Sequence, residues 1–170
     1  MPDGSLEEEP NVIREGDVFN ILVYHPKRPD LTQAFEFICE KMGGFKVINN
    51  EITLPDTGPI RVTGMSISKA REKIEKRLRE DIEDITVYVS AKDRLRYSVT
   101  LIGRVSTDHV PIDGRMRIFD VLARAKVPND ANYFMSYVER DGEQLPIDMY
   151  KLVHEGDMSQ NIVMKGGDKI

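Results

Sequence analysis

Apolar positions change their spacing several times between residues 46 and 90, and each change marks an element. Val47-Ile48 and Ile52-x-Leu54 flank Asn49-Asn50. Asparagine tolerates the left-handed backbone of a tight turn, so this reads as two short strands of a hairpin. Pro55 closes the second strand, Asp56-Thr57-Gly58-Pro59 makes another turn, and Ile60 and Val62 belong to a further short strand. From Ile67 the period becomes helical: Ile67, Ala70, Ile74, Leu78 and Ile82 recur at steps of three and four and fall on one face. Glu72 with Lys76 and Glu75 with Arg79 stand one turn apart on the other face. Residues 85–89 are β-branched and aromatic and predict a strand. The unit is β-turn-β-helix-β, with the helix stripe on a small sheet.

The same reading extends outward. Residues 12–24 predict a strand ended by Pro26 and Pro29. Residues 30–42 predict a helix with Asp30 as N-cap, a stripe of Leu31, Ala34, Ile38 and Met42, and Gly43-Gly44 at its end. A charged connector, 91–96, is the candidate domain boundary. Beyond it come a strand over 98–105, a return strand over 109–112, an Asp113-Gly114 turn and a helix over 118–125 with Ile118, Val121, Leu122 and Ala125 inward. A strand over 134–140 turns at Asp141-Gly142, and 145–148 pairs back. A helical turn over 149–154 and a strand over 162–164 follow, and Gly166-Gly167-Asp168 turns into Lys169-Ile170, read as the start of a strand that a longer protein continues. The fold class is α+β in two small domains. Residues 1–10, polar and acidic, read as a disordered tail.

Composition narrows the function more by exclusion than by suggestion. The 170 residues are 40% apolar, enough for one moderate core or two small ones, and carry a net charge of -5, so no global basic field draws nucleic acid. No apolar run of about 18 residues is present to span a membrane. His25, His109 and His154 are far apart and in no metal-ligand spacing. Cys39, the single cysteine, lies among apolar residues of the 30–42 helix and reads as a buried small hydrophobe. Asp81, Glu83 and Asp84 are acidic neighbours at a helix end, read as a solvated cap region rather than as the facing carboxylates of a glycosidase. No catalytic, cofactor or metal site is expected. Tyr133, Phe134 and Tyr137 lie close together and are the candidate glycan-stacking residues; the plain alternative is that they divide between core and solvent.

The string Ile52-x-Leu54-Pro55-x-x-Gly58-Pro59-Ile60-x-Val62-x-Gly64-Met65-Ser66, with the helix and the Val87-Tyr88-Val89 strand, resembles the polysaccharide export domain of bacterial outer-membrane export proteins. Gly16-Asp17-Val18-Phe19-Asn20-Ile21 is similar to that family's opening strand, and residues from Val99 to Asp168 resemble its soluble-ligand-binding β-grasp (SLBB) module. Thr107-Asp108 and Ala125-Lys126-Val127 depart from the module's Pro-Gly and Ala-Gly-Gly. The resemblance implies an export domain over 26–93 and a β-grasp domain made of 11–25 plus 94–170, with the strand at 12–24 adding to the second sheet. It also implies a non-enzymatic subunit of a homo-oligomeric ring on the periplasmic side of the outer membrane. Through that ring, capsular or exopolysaccharide passes, with inner-membrane export machinery as partner. A soluble periplasmic sugar- or ligand-binding accessory protein is the alternative.

Overall fold

The computed structural model describes residues 11–170, which divide into two compact units, one spanning Val12–Asp93 and the other Arg94–Ile170 with Asn11. Five strands and two helices make up the first: β1 (Val18–Tyr24), α1 (Pro29–Lys41), β2 (Phe45–Lys46), β3 (Glu51–Leu54), β4 (Gly58–Arg61), α2 (Ile67–Arg79) and β5 (Thr86–Ala91). Two strands flank β1 in an antiparallel sheet of order β2-β1-β5, while β3 and β4 form a separate hairpin. Asn49 and Asn50 both take positive φ, 54° and 65°, as the turn before β3 requires, and the Glu15 carboxylate accepts from their two amides at 2.8 and 2.7 Å. Phe19, Ile21, Val23, Val47, Ile52, Ile74, Leu78 and Val87 are buried in this unit. Helix α2 starts at Ser66, whose hydroxyl accepts from the Lys69 amide at 3.3 Å.

Three expectations for this unit are overturned. The strand at 12–24 does not join the second unit's sheet: β1 pairs with Phe45–Lys46 and with Thr86–Ala91, all within the first unit. In α1, the inward side is Leu31, Phe35, Ile38 and Cys39, with Phe35 fully buried, while Ala34 and Met42 are exposed. Phe35 lies 5.6 Å from Phe45 between ring centroids, and burying that large ring sets the helix's rotation. Pro29 opens the helix, so Asp30 lies inside its first turn and pairs with Arg28 at 2.9 Å instead of capping it.

The second unit holds β6 (Ser98–Thr100), β7 (His109–Pro111), α3 (Ile118–Ala125), β8 (Glu139–Arg140) and β9 (Glu143–Gln144). Lys169 bridges its two hairpins, parallel to Thr100 and antiparallel to Glu139, so the chain at 168–170 runs between β6 and β8. All four expected inward residues of α3 are buried against Val99, Val110, Ile112, Val138, Met149, Leu152 and Met164. Asn161 caps that helix from a distance, accepting from the Phe119 amide at 3.1 Å. Asn11 closes the unit by donating to the Gly114 and Met164 carbonyls and accepting from the Gly166 amide. Residues 134–138 are not the expected strand. Asn132 accepts from the Met135 amide through its side chain and from the Ser136 hydroxyl through its carbonyl, folding the segment back as a turn. Likewise, 162–164 contributes one bridge, Val163 to Arg117, rather than a full strand. The expected tail at 1–10 lies outside the described residues.

Two backbone positions test this description. A Cβ on Gly166 would lie 1.5 Å from the Arg96 carbonyl oxygen, so Gly166→Ala should cost about 3 kcal/mol in urea unfolding of the second unit. Lys126 ends α3 in the left-handed conformation at φ 52°, where glycine is unstrained, so Lys126→Gly should raise stability by about 1 kcal/mol in the same assay.

Candidate functional site

A cleft of about 510 Å³ opens in the second unit. Its walls come from 101–105, from the 130–139 segment and from Lys169 and Ile170, and Leu122, Val127 and Met149 contribute apolar groups to it. The charged residues of the lining pair with one another: Arg104 with Asp130 at 3.6 Å, and Lys169 with Glu139 at 3.0 Å. The cleft is therefore a largely apolar hollow whose charged groups stand in two pairs.

The three aromatic residues singled out by sequence occupy different environments. Tyr133 is buried, its hydroxyl 3.5 Å from the Pro128 carbonyl and its ring edge-on to His154, and burial pushes its phenol above the ordinary value. Phe134 is exposed and stacks on Tyr150 with centroids 3.9 Å apart. Tyr137 is half exposed and lines the cleft, as does one side of Tyr133. Tyr150 and His154 extend the stack, with centroids 4.8 Å apart, and the sequence pointed to neither as part of an aromatic cluster. Their signal is helical spacing: four residues apart, they share one side of the turn that includes 151–155.

Other candidates for chemistry are dispersed. Cys39 is half-buried and donates to the Ile21 carbonyl at 3.4 Å. The Nδ1 of His25 accepts from the Lys27 amide, and His109 lies beside Thr100 and Asp108. Asp81, Glu83 and Asp84 are exposed; Asp81 faces Arg77 at 3.2 Å and Asp84 takes the positive φ of a turn. Among the described residues, no group of three His, Cys, Asp or Glu side chains is placed to hold a metal ion, and no helix is long and apolar enough to cross a membrane.

One buried polar contact, which the sequence did not disclose, fixes the cleft wall. The Asp168 side chain is 1% exposed and receives two hydrogen bonds from Arg140, Nε to Oδ1 at 2.8 Å and Nη2 to Oδ2 at 2.7 Å. The Lys165 amide donates to the same carboxylate at 2.7 Å, and Arg140 also donates to the Val163 carbonyl. Hydrogen bonding to Asp168 raises the Arg140 pKa above its ordinary value. The planar guanidinium locks β8 to the turn before Lys169, and both cleft-lining residues Glu139 and Lys169 neighbour it in the chain.

With this geometry in hand, comparison with known proteins places the chain. Residues 6–92, half of its length, match the polysaccharide biosynthesis/export protein family, and the chain belongs to that family. Among curated proteins it is similar to the EPS I polysaccharide export outer membrane protein EpsA of Ralstonia nicotianae, 27% identical over 179 aligned positions covering 94% of this chain and 46% of the relative. The protein of the same name from Ralstonia solanacearum is 28% identical over the same coverage. The chain thus spans about half the length of the curated relatives it matches.

The Arg140 and Asp168 pair gives a stability test. Removing one partner strands a buried charge, so Arg140→Met or Asp168→Leu alone should cost about 3–5 kcal/mol in urea unfolding. The double substitution should cost less than the sum of the two, since neither charge is then left behind.

Proposed function

We propose that the chain is part of a non-catalytic structural subunit that carries capsular or exopolysaccharide to the cell surface. The observation that carries this reading is the family match over 6–92, which coincides with a unit built as β-turn-β-helix-β around the Ile52 to Ser66 string. The names of the Ralstonia relatives support an outer-membrane setting. In the full-length protein, identical subunits close into a ring on the periplasmic side of that membrane and meet inner-membrane export machinery there. The second unit is a β-grasp module in this reading, which is supported by a helix packed with two hairpins joined through Lys169. The paired charges of its cleft and the scattered histidines support a role without bond making or breaking. Tyr133, Phe134 and Tyr137 are the glycan contacts of this unit in this reading, Phe134 and Tyr137 through exposed rings and Tyr133 through the part of its ring that lines the cleft.

The cleft of about 510 Å³ is the observation that favours the second reading, a soluble periplasmic protein that binds a sugar or other ligand there. Assembly separates the two. A closed ring needs a contact in which one face of a subunit meets a different face of its neighbour. The 170-residue chain alone should be monomeric or weakly associating by size-exclusion with light scattering, while the full-length, detergent-solubilised protein should show one discrete multiple of its subunit mass. A full-length protein that stays monomeric across concentration would leave the ligand-binding reading as the better one.

A further inference from the structure

Alternation along β1 and β5 sorts their side chains into two sets. Phe19, Ile21, Val23 and Val87 are buried, while Val18, Asn20, Leu22, Tyr24, Thr86, Tyr88 and Ser90 occupy the alternate positions, partly or fully exposed. Leu22 stands opposite Tyr88, Tyr24 opposite Thr86, Asn20 opposite Ser90, and Lys46 of β2 opposite Val18. Tyr24, Tyr88 and Leu22 are 57%, 59% and 40% exposed. Tyr24 and Tyr88 are diagonal neighbours, with Cα atoms about 7–8 Å apart, so their rings belong to one continuous surface.

Three properties of this face point to its occupant. Helix side chains already occupy backbone groups along its edges: Thr32 and Cys39 donate to the Val23 and Ile21 carbonyls, and Glu75 accepts from the Val87 amide. Although the chain has 29 acidic residues against 24 basic, no carboxylate stands among the strand residues of this face, and Lys46 is its single charge. Its apolar area is small. Three large side chains at about half exposure present on the order of 300 Å², well short of what a stable contact between two copies needs.

We propose that this sheet face is a carbohydrate platform. Tyr24 and Tyr88, flanked by Leu22, lie against the C–H faces of pyranose rings; Asn20, Thr86 and Ser90 exchange hydrogen bonds with sugar hydroxyls; Lys46 favours an acidic glycan. The inference rests on the export reading for its ligand class and names where in the first unit the polymer is touched.

Titration of the ¹⁵N-labelled chain with a hyaluronan octasaccharide and with neutral maltooctaose tests it. Amide shifts should concentrate at Asn20, Leu22, Thr86, Tyr88 and Ser90. The double variant Tyr24→Ser with Tyr88→Ser should bind at least tenfold more weakly with an unchanged melting temperature, since both rings are exposed. Lys46→Ala should weaken hyaluronan binding and leave maltooctaose unaffected. Shifts confined to the second unit, wild-type affinity in the double variant, or no binding of either glycan by the full-length protein would overturn the platform. Light scattering on the same full-length samples keeps the two claims apart. A variant ring that is intact but has lost glycan binding supports the platform, and a ring that is lost while glycan binding persists makes the face a subunit contact instead. A monomeric wild type contradicts the ring and leaves the platform to be judged by the titration.

Discussion

Everything in the first unit depends on closing the edges of a sheet that is only three strands wide. Strand β2 reaches no further along β1 than Phe19, which leaves the outward carbonyls of Ile21 and Val23 without a strand partner. Helix α1 supplies the missing donors from Cys39 and Thr32. At the opposite edge, Glu75 of α2 accepts from the Val87 amide while holding Arg71 at 3.2 Å and Arg79 at 3.1 Å, and Arg79 donates to the Ile85 carbonyl. An unpaired edge would be both a desolvation cost and a template for aggregation. The face that carries Leu22, Tyr24 and Tyr88 stays exposed among the described residues.

The second unit solves a different problem with a buried charge. Its hairpins are short, and the segment that joins them, 168–170, follows directly from a turn. Asp168 and Arg140 hold that turn to β8, with the Lys165 amide completing the carboxylate's hydrogen bonds. Gly166 must be glycine for the same reason: the turn passes so close to the Arg96 carbonyl that no side chain fits. The cleft beside this junction thus rests on a few polar contacts and close backbone approaches more than on strand length.

Much of this was legible in the sequence where a local rule governs. The four inward residues of α3, the Asn49-Asn50 and Asp141-Gly142 turns, and the Ala70, Ile74, Leu78 stripe all follow from period and backbone preference. What escaped depends on distant partners. Alternation in 18–24 shows that one face is buried, yet cannot say that residues 86–91 complete the ladder. Arg140 and Asp168 are 28 residues apart, and nothing beyond a Gly-Gly-Asp turn hints at their pairing. Phe134 and Tyr137 were expected on a strand; the Asn132 side chain makes the segment a turn, so strand alternation does not decide which of the aromatic rings is buried. In α1 the stripe shifted because one large ring, Phe35, outweighs several smaller contacts.

The chain belongs to the polysaccharide biosynthesis/export protein family, and its proposed work falls to two surfaces, a sheet face in the first unit and a cleft in the second. The most direct measurement is the fate of the polymer in cells lacking the gene. The account predicts that polysaccharide is still made, at unchanged chain length, but is retained inside the cell envelope, and that the full-length gene restores it to the surface. Normal surface polysaccharide in the deletion strain, or polymer whose chain length or repeat structure changes with the gene's presence, would contradict it.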